Sequence, residues 1–360
     1  MELLLVAGAA FLAFSNGAND NFKGFATVWG SQTLTYRQAL TLATVATVLG
    51  SLASLMLAES LVAQFAGRGL VPDDIAGNSA FVLSVGLGAA ATVALATRIG
   101  LPISTTHALI GGLVGAGLAE NGGSVNLANL TGTFLLPLLI SPFVAATLGG
   151  LAYGLIRKRN AEDDCACVVA DSAATDWKSG CVAARQSVGP HLVVATDEQC
   201  DRLDAPAARV QVSKVLDRVH TLSAACICFA RGVNDTPKIT ALLVAAQAFD
   251  AKGSMLAVAA IMAVGGLLFS RRVARTMSQR MVRMDHAQGL SANLISAGLI
   301  IFASNLGMPV STTHVTVGSI AGVGVGAHSI DWKTANAVLL SWVATLPLAA
   351  FVAYAISQIA

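Results

Sequence analysis

Long apolar runs alternate with short polar breaks along most of the chain. A bilayer core about 30 Å thick takes roughly 20 apolar residues as helix. On that rule, crossings are predicted over 1–30, 36–58, 79–98, 103–119 and 131–156. A second set is predicted over 215–249, 254–270, 289–307, 310–327 and 335–358. Between them, 157–214 is rich in Asp, Arg, Cys and Ser, too mixed for lipid, and reads as a soluble linker. The expected fold class is an all-α polytopic membrane protein with three parts. Residues 1–156 form a first transmembrane repeat, 157–214 a cytoplasmic linker and 215–360 a second transmembrane repeat.

Two sequence patterns recur in order. SNGANDNFKG at 15–24 and ARGVNDTPKI at 230–239 share G-x-N-D-x-x-K. LPISTTHALIGG at 101–112 and MPVSTTHVTVGS at 308–319 share P-x-S-T-T-H-x-x-x-G. The offsets, 235 − 20 = 215 and 314 − 107 = 207, agree closely enough to make the chain a duplication. Five crossings per half is an odd number, so the second half starts from the opposite side of the membrane. The expectation is two inverted-topology repeats with broken helices at a central site. The fourth crossing of each half is short, rich in Gly and preceded by Pro. A re-entrant hairpin is the alternative there.

Composition fits this picture. Of 360 residues, 55% are hydrophobic and 12% charged, against about 25% charged in soluble domains. The net charge of +2 says little, but charge placement says more. With the linker in the cytoplasm, the inside loops receive Arg37, Arg98, Arg157, Lys158, Arg159, Arg271, Arg272, Arg275, Arg280, Arg283 and Lys333. The outside loops receive Arg68 and Lys252. This is a positive-inside bias, with both termini outside. No basic segment precedes MELLLVAGAAFLAF, so no cleavable signal peptide is expected. Cys226 and Cys228 lie in an apolar segment and read as small core residues. Cys165, Cys167, Cys181 and Cys200 lie in the linker, where a lone C-x-C is a weak metal pattern.

The repeated motifs hold the candidate chemistry. A charged side chain at bilayer depth costs about 2.5–3.5 kcal/mol on insertion scales, yet Asp20, Lys23, Arg231, Asp235 and Lys238 all fall inside apolar segments. Gly17, Gly232 and Pro237 suggest helices interrupted mid-membrane, with free N–H groups to meet an anion. Asn19, Asn234, Ser104, Thr105, Thr106, Ser311, Thr312 and Thr313 are candidate donors to a tetrahedral oxyanion. Lys23, Lys238 and Arg231 are candidate counter-charges. Asp20 and Asp235 are candidate sites for a coupling cation or proton. The plainer readings are Asp–Lys pairs that only fix packing, and hydroxyls that only cap helices. His107 and His314 either donate to backbone carbonyls or contact substrate and carry protons. An intramembrane hydrolase using these Ser, Thr and His residues is a rival, but adjacent helical side chains diverge by about 100°. An anion channel is another.

GANDNFKGFATVWGS resembles the duplicated signature of the PiT family of inorganic phosphate transporters. The PISTTH and PVSTTH segments resemble that family's second repeated motif. The resemblance implies proton- or sodium-coupled phosphate import across the cytoplasmic (inner) membrane, with sulfate transported by some bacterial members. It also implies no enzymatic activity, no cofactor beyond a coupling ion, and a homodimer. The anion would be held between the repeats by the Asn-Asp and Ser-Thr motifs. This chain departs from the family pattern at Lys23 and Lys238, where a second Asn is common. It departs again at Arg231, where the second copy often has His. These neighbourhoods suit sodium in the family, and here they carry fixed positive charge.

Overall fold

A computed structural model describes residues 2–57, 62, 65, 67, 69–123, 125–156, 165–169, 191–195, 208–245 and 250–360. Arg68, Arg157, Lys158, Arg159, Cys181 and Cys200, which enter the charge and cysteine readings, lie outside the described residues. The chain forms two compact units, one of Met1–Gly154 with His220–Ala360 and one of Leu155–Val219.

The first half contributes α1 (Glu2–Asp20), α2 (Tyr36–Leu57), α3 (Ser79–Ile99), α4 (Thr105–Glu120) and α5 (Leu136–Ile156). The linker contributes β1 (Cys165–Val169), β2 (His191–Ala195) and β3 (Ala208–Gln211), an antiparallel sheet in the order β2-β1-β3. Cys165 stands opposite Ala195 on one side and Gln211 on the other. This sheet adds a small β element to a chain that reads from sequence as all-α. The second half contributes α6 (Val212–Ala245), α7 (Ala251–Phe269), α8 (His286–Asn305), α9 (Thr312–Gly326) and α10 (Trp332–Ser357). Among the described residues, five long helices thus recur in each half, in the order of the repeated motifs.

Short polar residues set where the helices begin. Asn78, Asp250 and Asp331 cap α3, α7 and α10 through their side-chain oxygens. Asp285 opens α8 with a reciprocal capping box to Gln288. Gly100 ends α3 at φ 80°, a left-handed conformation that glycine adopts without strain. Residues 101–104 then run non-helically to Ser104, which caps α4 by accepting from His107 N. Ser311 caps α9 in the same way through His314 N.

The two halves pack by exchanging equivalent contacts. A Cβ on Gly17 would lie 1.9 Å from the Met262 carbonyl oxygen, and one on Gly232 would lie 2.3 Å from that of Thr47. Both pairs are related by the offset 215. Gly50 meets the Phe229 carbonyl and Gly265 that of Phe14, again at the same offset. At the other motif, Gly111 and Gly115 back onto Leu346 and Ala350 of α10, while Gly318 and Gly322 back onto Pro142 and Ala146 of α5. Small residues let helix backbones approach this closely in a membrane. Each of these close approaches therefore has a counterpart in which the two halves exchange roles.

Seven helices among the described residues are long and apolar enough to cross a membrane. The chain is a multi-pass membrane protein, and exposed residues such as Phe143 and Leu151 on α5 and Val343 and Phe351 on α10 suit lipid contact. The three remaining long helices differ for physical reasons. α4 and α9 have 16 and 15 residues, or about 24 and 22 Å at 1.5 Å rise, because the Pro-x-Ser segment ahead of each is non-helical. α6 carries the charges of the second motif. The expectation of broken helices holds in the first copy only. There α1 ends at Asp20 and a 3-10 turn over Lys23–Phe25 leads into a short helix, Ala26–Gly30. In the second copy Pro237 sits inside α6 without ending it. Neighbouring side chains can satisfy the backbone group that an intramembrane Pro frees.

Candidate functional site

Every charged residue of the repeated motifs is buried. Asp20, Lys23, Arg231, Asp235 and Lys238 are each 1–3% exposed. Because ions withdrawn from water survive only with partners, the pairing defines the site. Lys23 Nζ lies 2.5 Å from Asp20 Oδ1 and 2.8 Å from the Ile103 carbonyl oxygen, and it also donates to Thr313 Oγ1. Lys238 Nζ lies 3.8 Å from Asp235 Oδ1, 2.9 Å from the Val310 carbonyl oxygen and 3.0 Å from Thr106 Oγ1. The two sets match position for position. Each lysine binds the carboxylate of its own half. It also binds the carbonyl two residues before a capped helix, and a threonine of the other half. Thr313 and Thr106 close the exchange by donating to the carbonyls of Ile103 and Val310 at 2.8 and 3.5 Å.

A second set of contacts joins the two carboxylates. Asn16 Nδ2 is 3.0 Å from Thr105 Oγ1 and 3.4 Å from a carboxylate oxygen of both Asp20 and Asp235. Thr105 in turn donates to Asp20 Oδ2 at 3.4 Å. Arg231 Nε is 3.4 Å from Asp235 Oδ2, and Arg231 Nη2 donates to Asn16 Oδ1 at 2.6 Å. Its other terminal nitrogen reaches Asn21 Oδ1 and Thr47 Oγ1, both at 3.4 Å. These five ionisable residues comprise two carboxylates and three cations, so the group carries one formal positive charge in excess when all are ionised.

Asn19 and Asn234 do different work from that expected of them. Asn19 Nδ2 donates to Thr97 Oγ1 and the Leu101 carbonyl, and its Oδ1 accepts from Ile103 N. Both amide protons are engaged, which makes Asn19 a clamp on the extended 101–104 segment rather than an open anion donor. Asn234 donates to Asp235 Oδ1 and the Val310 carbonyl and accepts from Ser304. The non-helical segments are thereby tied to the charged helices.

Ser104, Thr105, Thr106, Ser311, Thr312 and Thr313 are all buried around this group. The serines contact the backbone N–H of His107 and His314, not their rings, so a Ser–His nucleophile pair is not assembled there. The His107 and His314 rings face each other at 4.4 Å, and His314 stacks on Trp342 at 3.9 Å. Both line an apolar cavity of about 1040 Å³ with Leu138, Pro142, Gly318 and Trp342. Sequence reasoning missed Asn16, Asn21, Thr47 and Thr97. The available signal was Asn16 itself, a polar residue in an apolar helix at the position equivalent to Arg231.

A second cavity, of about 580 Å³, is lined by Phe14, Ser15, Thr97, Arg98, Arg271, Arg272 and Arg275 among others. Arg272 Nη1 donates to the Arg98 carbonyl oxygen at 2.5 Å. The end of α3 and the end of α7 therefore meet, which gathers arginines from both halves beside Thr97, the residue that Asn19 holds.

Comparison with known proteins identifies the family of the chain. A family model described as "Phosphate transporter family" matches residues 16–353. A "Probable low-affinity inorganic phosphate transporter" of Bacillus subtilis is 25% identical over 97% of this chain and 94% of its own length. A protein of the same description from Mycobacterium tuberculosis is 26% identical over 97% of this chain and 75% of its own length. A solved structure described as "The sodium-dependent phosphate transporter" superposes with a TM-score of 0.77 at 20% identity, covering 99% of this chain and 98% of that one, which shows a shared fold. With the family model spanning nearly the whole sequence and both repeated motifs inside the match, the chain belongs to the phosphate transporter family.

Proposed function

We propose that the protein is a secondary transporter, not an enzyme, that imports inorganic phosphate across the cytoplasmic membrane by alternating access. The observation that carries this reading is the reciprocal pairing of Lys23 with Thr313 and of Lys238 with Thr106. The two halves meet there through an exchangeable set of ammonium, hydroxyl and carbonyl groups. A tetrahedral oxyanion can take the place of the carbonyls as acceptor from both lysines. The group's excess positive charge favours an anion. Thr105, Thr106, Thr312, Thr313 and the hydroxyl protons of Ser104 and Ser311 serve as donors. Asp20 and Asp235 accept the proton that phosphate retains near neutral pH, or bind a coupling cation.

Topology supports the same reading. In parallel repeats, the end of α3 would share a membrane side with the end of α8. Here it touches Arg272 after α7, the arrangement that inverted repeats give. An inverted pair offers two mirror-related conformations, one open to each side. The reading includes a cytoplasmic linker, external termini and a homodimer. Uptake of radiolabelled phosphate into proteoliposomes, against unlabelled phosphate and sulfate, tests it. Concentrative uptake that collapses with the ion gradient is expected. Purely passive flux would make the protein a channel, and no flux would end the reading.

A further inference from the structure

The solved relative is described as sodium-dependent, but the residues of this chain do not fit a sodium site. The surroundings of each lysine Nζ are of the kind that a small hard cation takes: a carboxylate oxygen, a backbone carbonyl oxygen and a hydroxyl oxygen. Around Lys23 they are Asp20 Oδ1, the Ile103 carbonyl and Thr313 Oγ1. Around Lys238 they are Asp235 Oδ1, the Val310 carbonyl and Thr106 Oγ1. Each oxygen set already encloses a positive charge, covalently held by the chain. A metal ion placed there would meet an ammonium in the same space.

We propose that the ammonium groups of Lys23 and Lys238 stand in for two metal cations, so that phosphate transport by this chain is independent of sodium and driven by protons. The inference rests on the phosphate reading above. Its logic is charge conservation. A tethered cation neutralises the substrate but never crosses the membrane, so it transmits no energy from a sodium gradient. The mobile charge must come from elsewhere. With all five groups ionised the buried group carries one excess positive charge, and monohydrogen phosphate brings two negative ones. One proton then brings the occluded site to neutrality, which is the least costly state for a buried group. Phosphate can carry that proton itself, and Asp20 and Asp235 lie beside it.

The test uses the full chain in proteoliposomes, with phosphate uptake measured in sodium and in N-methylglucamine buffers, with and without a pH gradient. Wild type is expected to transport equally in both buffers, within about two-fold, and to need the pH gradient for accumulation. Lys23→Ala and Lys238→Ala open one oxygen set each. Each variant is expected to lose at least ten-fold of its uptake in N-methylglucamine and to recover part of it in sodium. Thermal unfolding guards against simple misfolding: sodium should raise the melting temperature of the purified variants and leave that of wild type unchanged. Wild-type uptake that requires sodium overturns this inference and leaves the phosphate reading standing. Folded variants with neither sodium-dependent uptake nor a sodium-dependent thermal shift overturn it too. Wild type that moves no phosphate in either buffer overturns the phosphate reading instead.

Discussion

Arg231 Nη2 donates to Asn16 Oδ1 at 2.6 Å, and the two residues occupy the same position in the two repeats, 215 apart. Two identical arginines at this seam would repel, and two asparagines would remove the group's one excess positive charge, since Lys23 and Lys238 already balance the two carboxylates. The unlike pair resolves both problems. Asn16 then turns its amide to Asp20, Asp235 and Thr105 at once.

Asn16→Asp is nearly isosteric and changes the excess charge of the buried group from one positive to none. The expected outcome is a KM for phosphate raised at least ten-fold, or about 1.4 kcal/mol of lost binding, with the protein still folded. Saturation kinetics of phosphate uptake measure this. An unchanged KM would remove Asn16 from the site.

The capping serines separate stability from binding. Ser104 and Ser311 each accept from a backbone N–H at 3.1 Å at the start of a helix. Replacing a capping Ser by Ala costs about 0.5–2 kcal/mol. Ser104→Ala and Ser311→Ala should therefore lower the melting temperature in detergent. Ser104→Asp restores the cap but adds negative charge beside the anion. It should recover the melting temperature and abolish uptake, a split that a purely structural serine would not give.

Much of this molecule is legible in its sequence, because membrane helices announce themselves by composition and because the duplication repeats its own motifs. The charged cluster, the capped helices α4 and α9 and the pairing of halves all follow from G-x-N-D-x-x-K and P-x-S-T-T-H. Asn16 stays hidden for a specific reason: matching the copies for identity discards the one position where they differ usefully. Asn19 and Asn234 point to the anion on sequence alone, because the motif cannot show that the extended segments at 101–104 and 308–311 need tying down. Pro237 reads as a breaker from its effect in water-exposed helices, whereas a membrane interior makes a broken helix costly. The linker strands CACVV and HLVVA carry β-branched residues, the composition of strands, within a segment whose polarity alone reads as linker.

Glycine substitutions should sort by what lies opposite. Gly17→Ala would place a methyl 1.9 Å from the Met262 carbonyl, and Gly50→Ala would place one 2.0 Å from that of Phe229. Neither backbone can yield without parting the halves, so both variants should fail to give a monodisperse detergent-solubilised protein. Gly298, inside α8, has nothing within 4 Å of where an added methyl would stand. Gly298→Ala is expected to be neutral or to stabilise by up to about 1 kcal/mol through helix propensity. Size-exclusion profiles with thermal challenge read both.

At the start of α10, Asp331 accepts from the hydroxyl and the backbone N–H of Thr334 and from Lys333 N. The Thr334 hydroxyl bond is the largest effect on the Asp331 carboxyl; desolvation opposes it, and the two backbone N–H bonds and the Lys333 charge add to it, so the carboxyl is held below the usual carboxylate value. A depressed value in the folded state stabilises above the unfolded carboxylate range, and that stability is lost as pH falls through the folded value. The acid side of the melting profile should therefore flatten in Asp331→Asn, which caps without titrating, and its neutral side should fall by the small stability that the ionised carboxylate supplies.

The arginine-lined cavity gives the last expectation. Arg98 comes from the first half and Arg271, Arg272 and Arg275 from the second, and all border a space that reaches Thr97 beside the clamped Asn19. Clustered cations at the mouth of a low-dielectric passage concentrate anions by about 10–10³-fold, and salt screens the effect. Arg271 packs over the Tyr36 ring at 5.5 Å and Arg272 holds the Arg98 carbonyl, so both have structural duties. Arg275 is the cleaner probe. On the proposed orientation, with the positive loops cytoplasmic, Arg275→Glu should raise the KM for internal phosphate in exchange assays about three- to ten-fold and weaken its dependence on ionic strength. On the same orientation, the KM for external phosphate should change little. Sided vesicles, right-side-out and inverted, separate the two constants. Equal shifts on both faces would show that Arg275 acts on the buried site and not on a vestibule.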